Sequence, residues 1–401
     1  MVRQYIAKAI PVVIGVVVAS SIFVRAEPAL CDYAMAFLVP LTLVLGLLRF
    51  PKVFGLPVIM VGLFLLFNGI SLLNANDLLR SARYAFITAY LVVSGLFFAG
   101  LMAHYRDKVL SWLWRGYVAG GLIAAALGWL GVVGAPFCER FVWGELRAVA
   151  GFKDPNVYGA FLVPAILFAL HRLRGSRGRV GFLAWSAAFG LMVAGHVLSF
   201  SRAAWLNLFV ASVSYVVLAG NIHWPMLKKC TLGVAMAVLW LGFAALLNPG
   251  ILSVFTARTG LMSYDEQRFS VQAAILKKIA TTPLGIGPGE TERVFNYAAH
   301  NLYLRVLVEN GWLGGLALGS FLIISLLGIV RETRRVMEEE ERSGRAVVAA
   351  ALIGALVNSC FIDSLHWRHL WLLLGLALGY LAVGRSGTGS RTEPEHESTA
   401  E

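Results

Sequence analysis

The sequence predicts an all-α integral membrane protein of about twelve transmembrane helices, with a large outer loop that carries an amphipathic helix. Two observations lead there. Of 401 residues, 58% are hydrophobic and only 14% charged, and the mean hydropathy of +0.74 lies outside the range of ordinary soluble domains. Apolar runs long enough to cross a hydrocarbon core of about 30 Å, at roughly 1.5 Å per residue, recur along nearly the whole chain.

In chain order, these runs cover 6–24, 30–48, 53–73, 82–103, 110–134, 156–171, 180–200, 203–220, 230–248, 300–330, 346–362 and 367–384. The first could be misread as a signal peptide, since Val24 and Ala26 fit the small-residue cleavage pattern, but its length suits a retained span. With the N-terminus inside, the inner connections read RFPK, HYRDK, HRLRGSRGR, KK and RETRRVMEEEERSGR. Each is basic, as the rule that retains lysine and arginine in the cytoplasm requires. Residues 1–384 then form one membrane domain with two long outer loops, 135–155 and 249–299, and both termini inside. The tail 385–401 is polar, lacks an apolar period and is expected to be disordered.

The net charge of +12 is mostly this topological bias and does not point to nucleic acid. The outer side nevertheless carries Arg140, Arg147, Lys153, Arg202, Arg258, Arg268, Lys277, Lys278 and Arg293. Long loops escape the charge rule one residue at a time, whereas together these cations suggest an anionic ligand. Cys31, Cys138, Cys230 and Cys360 lack metal-ligand spacing, and a disulfide from Cys138 to Cys31 or Cys360 stays open.

Within the loop 249–299, YDEQRFSVQAAILKKIA places Phe269, Ala273, Leu276 and Ala280 at helical spacing, the pattern of a helix lying at the membrane surface. TTPLGIGPGE then breaks the helix in a tight turn; with no Lys-Ser or Lys-Thr following, it is not a nucleotide-binding loop.

Three clusters could carry chemistry. In LRAVAGFKDPNVYG, Asp154 caps a helix that begins at Pro155, which leaves Arg147, Lys153 and Asn156 beside a helix N-terminus that attracts anions. In SFSRAAW, Arg202 sits at a hairpin tip between two apolar helices, either snorkelling to headgroups or turned inward on a phosphate. In AHNLYLRVLVENGWLGG, Asn301, Arg305 and Glu309 share one helical stripe, so that Arg305 and Glu309 read first as a structural ion pair. His300 stands off that stripe at the positive end of the helix, where a neutral imidazole able to accept a proton is favoured. No acidic pair or DxD-like motif lies on the outer face, so metal-assisted chemistry is not expected.

These segments, in this order, resemble the O-antigen ligase and polymerase superfamily, membrane glycosyltransferases of the GT-C type. The likeness runs from about 145 to 315, through RAVAGFKDPNVYG, SFSRAAW, QRFSVQAAILKKIATTPLGIGPG and AHNLYLRVLVENGWLGG. It implies a bacterial inner-membrane enzyme with its site facing the periplasm. His300 would be the general base, with Arg202 and Arg268 on the pyrophosphate of an undecaprenyl-linked glycan donor. Arg147, Lys153, Asn156 and Arg305 would be further substrate contacts. The resemblance also implies inversion at the anomeric carbon, no metal and no cofactor, with lipid A-core or a growing glycan as acceptor among membrane lipids. Ligation is favoured over repeat-unit polymerisation on resemblance alone. Arg140 and Gly151, with ten residues between them, match a spacing found in some polymerases. A secondary transporter would instead place charges in matching positions of two halves near the midplane, whereas here they gather at one face.

Overall fold

The computed structural model describes residues 2–144, 146–176, 178–220, 224–260 and 263–386. Most of the predicted tail, residues 387–401, lies outside the described residues. Among the described residues, the regular structure is helical apart from one small hairpin. Helices α1 (Val2–Ser20), α2 (Leu30–Val44), α3 (Gly55–Ser71), α4 (Leu78–Tyr105) and α5 (Asp107–Val132) lead to the hairpin of β1 (Val142–Trp143) and β2 (Arg147–Ala148). Then follow α6 (Pro155–Gly175), α7 (Arg179–Val197), α8 (Arg202–Ala219), α9 (Trp224–Leu247), α10 (Gly250–Thr259), α11 (Ser263–Thr281) and α12 (Thr291–Phe295). The last three are α13 (Leu302–Arg335), α14 (Glu339–Asn358) and α15 (Arg368–Ser386).

Each of the twelve apolar runs coincides with a helix. Eight are long and apolar enough to cross a membrane, and a ninth forms if α9 and α10, bent by 117° at their junction, are taken together. The remaining three depart from the simple span. Helices α2 and α15 have shorter apolar stretches, Leu30–Val44 and Arg368–Val383, and α14 opens on Glu339, Glu340 and Glu341. This is a multi-pass membrane protein.

Polarity is arranged as lipid demands. Apolar side chains such as Phe37, Ile59, Phe86, Val238 and Leu316 face outward, while Asn68 and Asn310 hydrogen-bond to each other at 2.5 Å in the interior. The alanine-rich α14 runs along α8, and α15 along α4, α1 along α5 and α13 along α3. At one end, Arg174 pairs with Glu339 and donates to the Gly220 carbonyl at 3.2 Å, joining the basic connections after α6 and α8 to the start of α14. The other end gathers the loops that precede α6, α8 and α13, together with the α14–α15 turn.

Helix α13 is broken. At Gly311 the backbone turns to φ 74°, ψ −178°, and the turn 283–289 fills the break. Ile286 and Gly287 donate to the carbonyls of Val308 and Glu309 at 2.9 and 3.1 Å, and Trp312 donates to the Pro283 carbonyl at 2.9 Å. A Cβ on Gly311 would stand 2.2 Å from that same carbonyl oxygen, so only glycine fits. The tight turn read from TTPLGIGPGE is therefore the stopper of a kinked helix.

The amphipathic helix has two apolar rows. Ile275 is buried, with Val271 and Ile279, against Ala299 and Val308. The expected row of Phe269 and Leu276 is exposed, pointing away from the protein.

Candidate active site

The turn between α7 and α8 is set by Phe200, held at φ 48°, and by Ser201, whose hydroxyl caps α8 by accepting from the Ala204 amide at 3.2 Å. That cap makes Arg202 the first residue of the helix, at the loop-bearing face. Asp154 caps α6 as expected, accepting from the Asn156 amide at 2.6 Å, with Pro155 in the first position. The Asn156 side-chain carbonyl accepts from Ser201 Oγ at 2.6 Å and from Arg147 Nη2 at 3.4 Å. Arg147 Nε also donates to the Ser199 carbonyl at 3.2 Å. Asn156 thus fastens the starts of α6 and α8 to the β2 arginine.

His300 enters from the far side of the site. Asn301 caps α13 by accepting from the Leu304 amide at 3.0 Å and donates to the Cys360 carbonyl at 2.9 Å; the Leu302 amide donates to Ser359 at 2.9 Å. These bonds fix the start of α13 on the α14–α15 turn. Gln272 of α11 holds the Ala299 carbonyl at 3.2 Å, and Arg268 donates to the Phe361 carbonyl. His300 has φ 46°, in the left-handed region that non-glycine residues rarely occupy outside constrained sites. Its ring lies edge-to-face on Tyr297, with centroids 5.3 Å apart. Burial first, and Arg268 second, hold the imidazole below its ordinary value. It is therefore a neutral ring near neutral pH, with burial as the leading cause.

The two halves meet. A cavity of about 300 Å³ is lined by Arg147, Asn156, Phe200, Ser201, Arg202, Ala203, Arg258, Arg268, Tyr297, His300 and Ile362. Four guanidinium groups, two helix N-termini and one neutral imidazole share one chamber. Arg202 Nη1 donates to the Gly260 carbonyl at 3.0 Å, which draws the α10 end over the α8 start. Arg202 is thus turned to this chamber.

The chain carries an O-antigen ligase domain. The model of that family matches residues 187–319, a stretch that contains Arg202, Arg258, Arg268, Tyr297 and His300. The family is shared by O-antigen ligases and polymerases, enzymes of lipid-linked glycans. No curated protein matches the chain.

Arg147 and Asn156 precede the O-antigen ligase domain in sequence and complete its cavity in space. Arg258 and Tyr297 were not among the residues assigned to the site from sequence. Arg258 belonged to the excess of outer cations, and its place at the end of the bent α9–α10 pair is what brings it in. Nothing in the sequence marked Tyr297.

Two expected contacts lie elsewhere. Lys153 Nζ is 2.7 Å from Glu27 and lines a different cavity with Arg25 and Trp143. Arg305 is buried, with Nε 3.1 Å from Glu309 and Nη2 2.6 Å from both Glu292 carboxylate oxygens. It also pairs with Asp363 and lies 4.9 Å from the centre of the Tyr84 ring. Burial pushes the Asp363 carboxyl up, yet Arg305 and His366 beside it hold it below the usual range. The pair read from the helical stripe is thus the centre of a larger ionic cluster.

The polymerase-like spacing of Arg140 and Gly151 also has a local explanation. The Arg140 carbonyl accepts from Arg25, and Val24 donates to the Gly151 carbonyl at 3.0 Å. A Cβ on Gly151 would stand 2.4 Å from the Ile22 carbonyl oxygen. Both ends of the spacing dock the α1–α2 connection. Cys31, Cys138 and Cys360 are free thiols.

Proposed function

We propose that this chain is an inverting membrane glycosyltransferase that moves a glycan from undecaprenyl pyrophosphate to an acceptor sugar hydroxyl, with lipid A-core as the acceptor, on the periplasmic side. The observation that carries the reading is the single chamber in which His300 faces Arg147, Arg202, Arg258 and Arg268. In it the acceptor oxygen attacks the anomeric carbon, its proton passes to the neutral His300 ring, and the bond from that carbon to the pyrophosphate oxygen breaks. The departing oxygen keeps the electron pair. Its growing charge is met by the planar donor forks of the arginines and by the N-terminal ends of α6 and α8. Residues 1–384 form the membrane domain, with both termini cytoplasmic. Of the contacts expected from sequence, Arg147, Arg202, Arg268 and Asn156 would serve the donor, while Arg305 would act from outside the chamber as a structural cation.

Deletion of the gene tests the reading. Bare lipid A-core with long lipid-linked glycan accumulating is the expected phenotype. Core capped by a single repeat unit would instead identify a polymerase and overturn the assignment to ligation.

A further inference from the structure

A second cavity, of about 550 Å³, is lined by Arg25, Val142, Trp143, Gly144, Val149, Phe152 and Lys153. The segment 142–156 lines both cavities. In the hairpin, Trp143 of the second stands directly opposite Arg147 of the first, a separation of about 5 Å between Cα atoms. The hairpin therefore joins the linings of the two cavities.

The lining has a consistent chemistry. Trp143 is 53% exposed and lines the cavity with its indole. Arg25 is positioned by its bond to the neutral Arg140 carbonyl. Lys153 Nζ is 2.7 Å from Glu27, which also lies 3.7 Å from Arg368, an arginine paired with Asp32 at 2.6 Å. Among the described residues that line this cavity, none is acidic. An exposed indole in one lining with Arg25 and the Glu27-paired Lys153 suits a saccharide that carries a negative group.

We propose that this second cavity binds an acidic sugar of the acceptor glycan, bearing a phosphate or a carboxylate, while the acceptor's terminal sugar reaches His300. The proposal rests on reading the first cavity as the donor site. With the donor pyrophosphate matched by four arginines there, the cations here fall to the other substrate. Lys153, expected from sequence to hold the donor, then serves the acceptor.

The test uses the purified full chain in detergent and three oligosaccharides of equal length, one phosphorylated, one bearing a uronic carboxylate and one neutral. The wild type should bind at least one acidic probe about tenfold more tightly than the neutral one; which one it prefers identifies the anion. Arg25→Gln with Lys153→Gln should remove that preference, Lys153→Arg should keep it, and Trp143→Ala should weaken all three probes. Undecaprenyl pyrophosphate binding, measured on the same samples, should be unchanged in these variants, which shows that they are folded. Arg202→Gln should do the reverse, losing undecaprenyl pyrophosphate and keeping the acidic probe. Equal binding of acidic and neutral probes, or loss of the acidic preference in Arg202→Gln alone, overturns the proposal. So does displacement of the probes by phosphatidylglycerol nanodiscs, which would assign the surface to lipid headgroups. Failure of the wild type to bind undecaprenyl pyrophosphate would instead sink the donor-site reading, and is scored separately.

Discussion

His300 is held in a left-handed backbone conformation, against Tyr297 and near Arg268, with its imidazole below the ordinary value. A lowered folded value means that the neutral base survives to more acidic pH. The kcat/KM of transfer should therefore stay level through the ordinary histidine value of about 6.5 and fall only below it. Arg268→Gln removes one of the two causes of the shift, so the acid limb of its pH profile should move upward, alongside weaker donor binding. A profile unmoved by Arg268→Gln would dissociate the arginine from the base. The residues of this site were partly legible because they break a rule: cations on the outer side and a lone histidine at a helix start invite explanation. Arg258 and Tyr297 were not, since their roles arise from a bend between α9 and α10 and from a loop path that no local pattern encodes.

Elements were more legible than residues, because apolar length and capping are local. Each of the twelve apolar runs became a helix, and Asp154 and Asn301 cap α6 and α13. The break in α13 was hidden, since Gly311 within an apolar run reads as an ordinary glycine until the turn 283–289 is seen against it. Gly311→Ala places a methyl group 2.2 Å from the Pro283 carbonyl oxygen and in a backbone region that is essentially glycine's own. It should cost more than about 2 kcal/mol of stability. Thermal unfolding in detergent should show a clear drop for this variant and a small one for Gly319→Ala, where a Cβ meets open space. The row of Phe269 and Leu276, read as the membrane-facing side of α11, is exposed, while the inward row of Val271, Ile275 and Ile279 anchors the same helix to the protein.

At the scale of the whole molecule, the Arg305 cluster ties α4, α12, α13 and the α14–α15 turn together at the face that holds the chamber. Its removal leaves Glu309, Glu292 and Asp363 without their shared cation. Arg305→Met should cost about 3–5 kcal/mol, seen as a lowered unfolding temperature. Sequence spacing supplied only Glu309, since Glu292 and Asp363 reach Arg305 from segments 13 and 58 residues away. The same long-range closure brings His300 to Arg202, and on that meeting the catalytic account stands or falls. The most direct measurement is single-turnover transfer in proteoliposomes from undecaprenyl-pyrophosphate glycan, comparing the wild type with His300→Ala at matched donor occupancy. His300→Ala should bind the donor normally and transfer about 10²- to 10⁴-fold more slowly. Transfer at the wild-type rate would rule out His300 as the base.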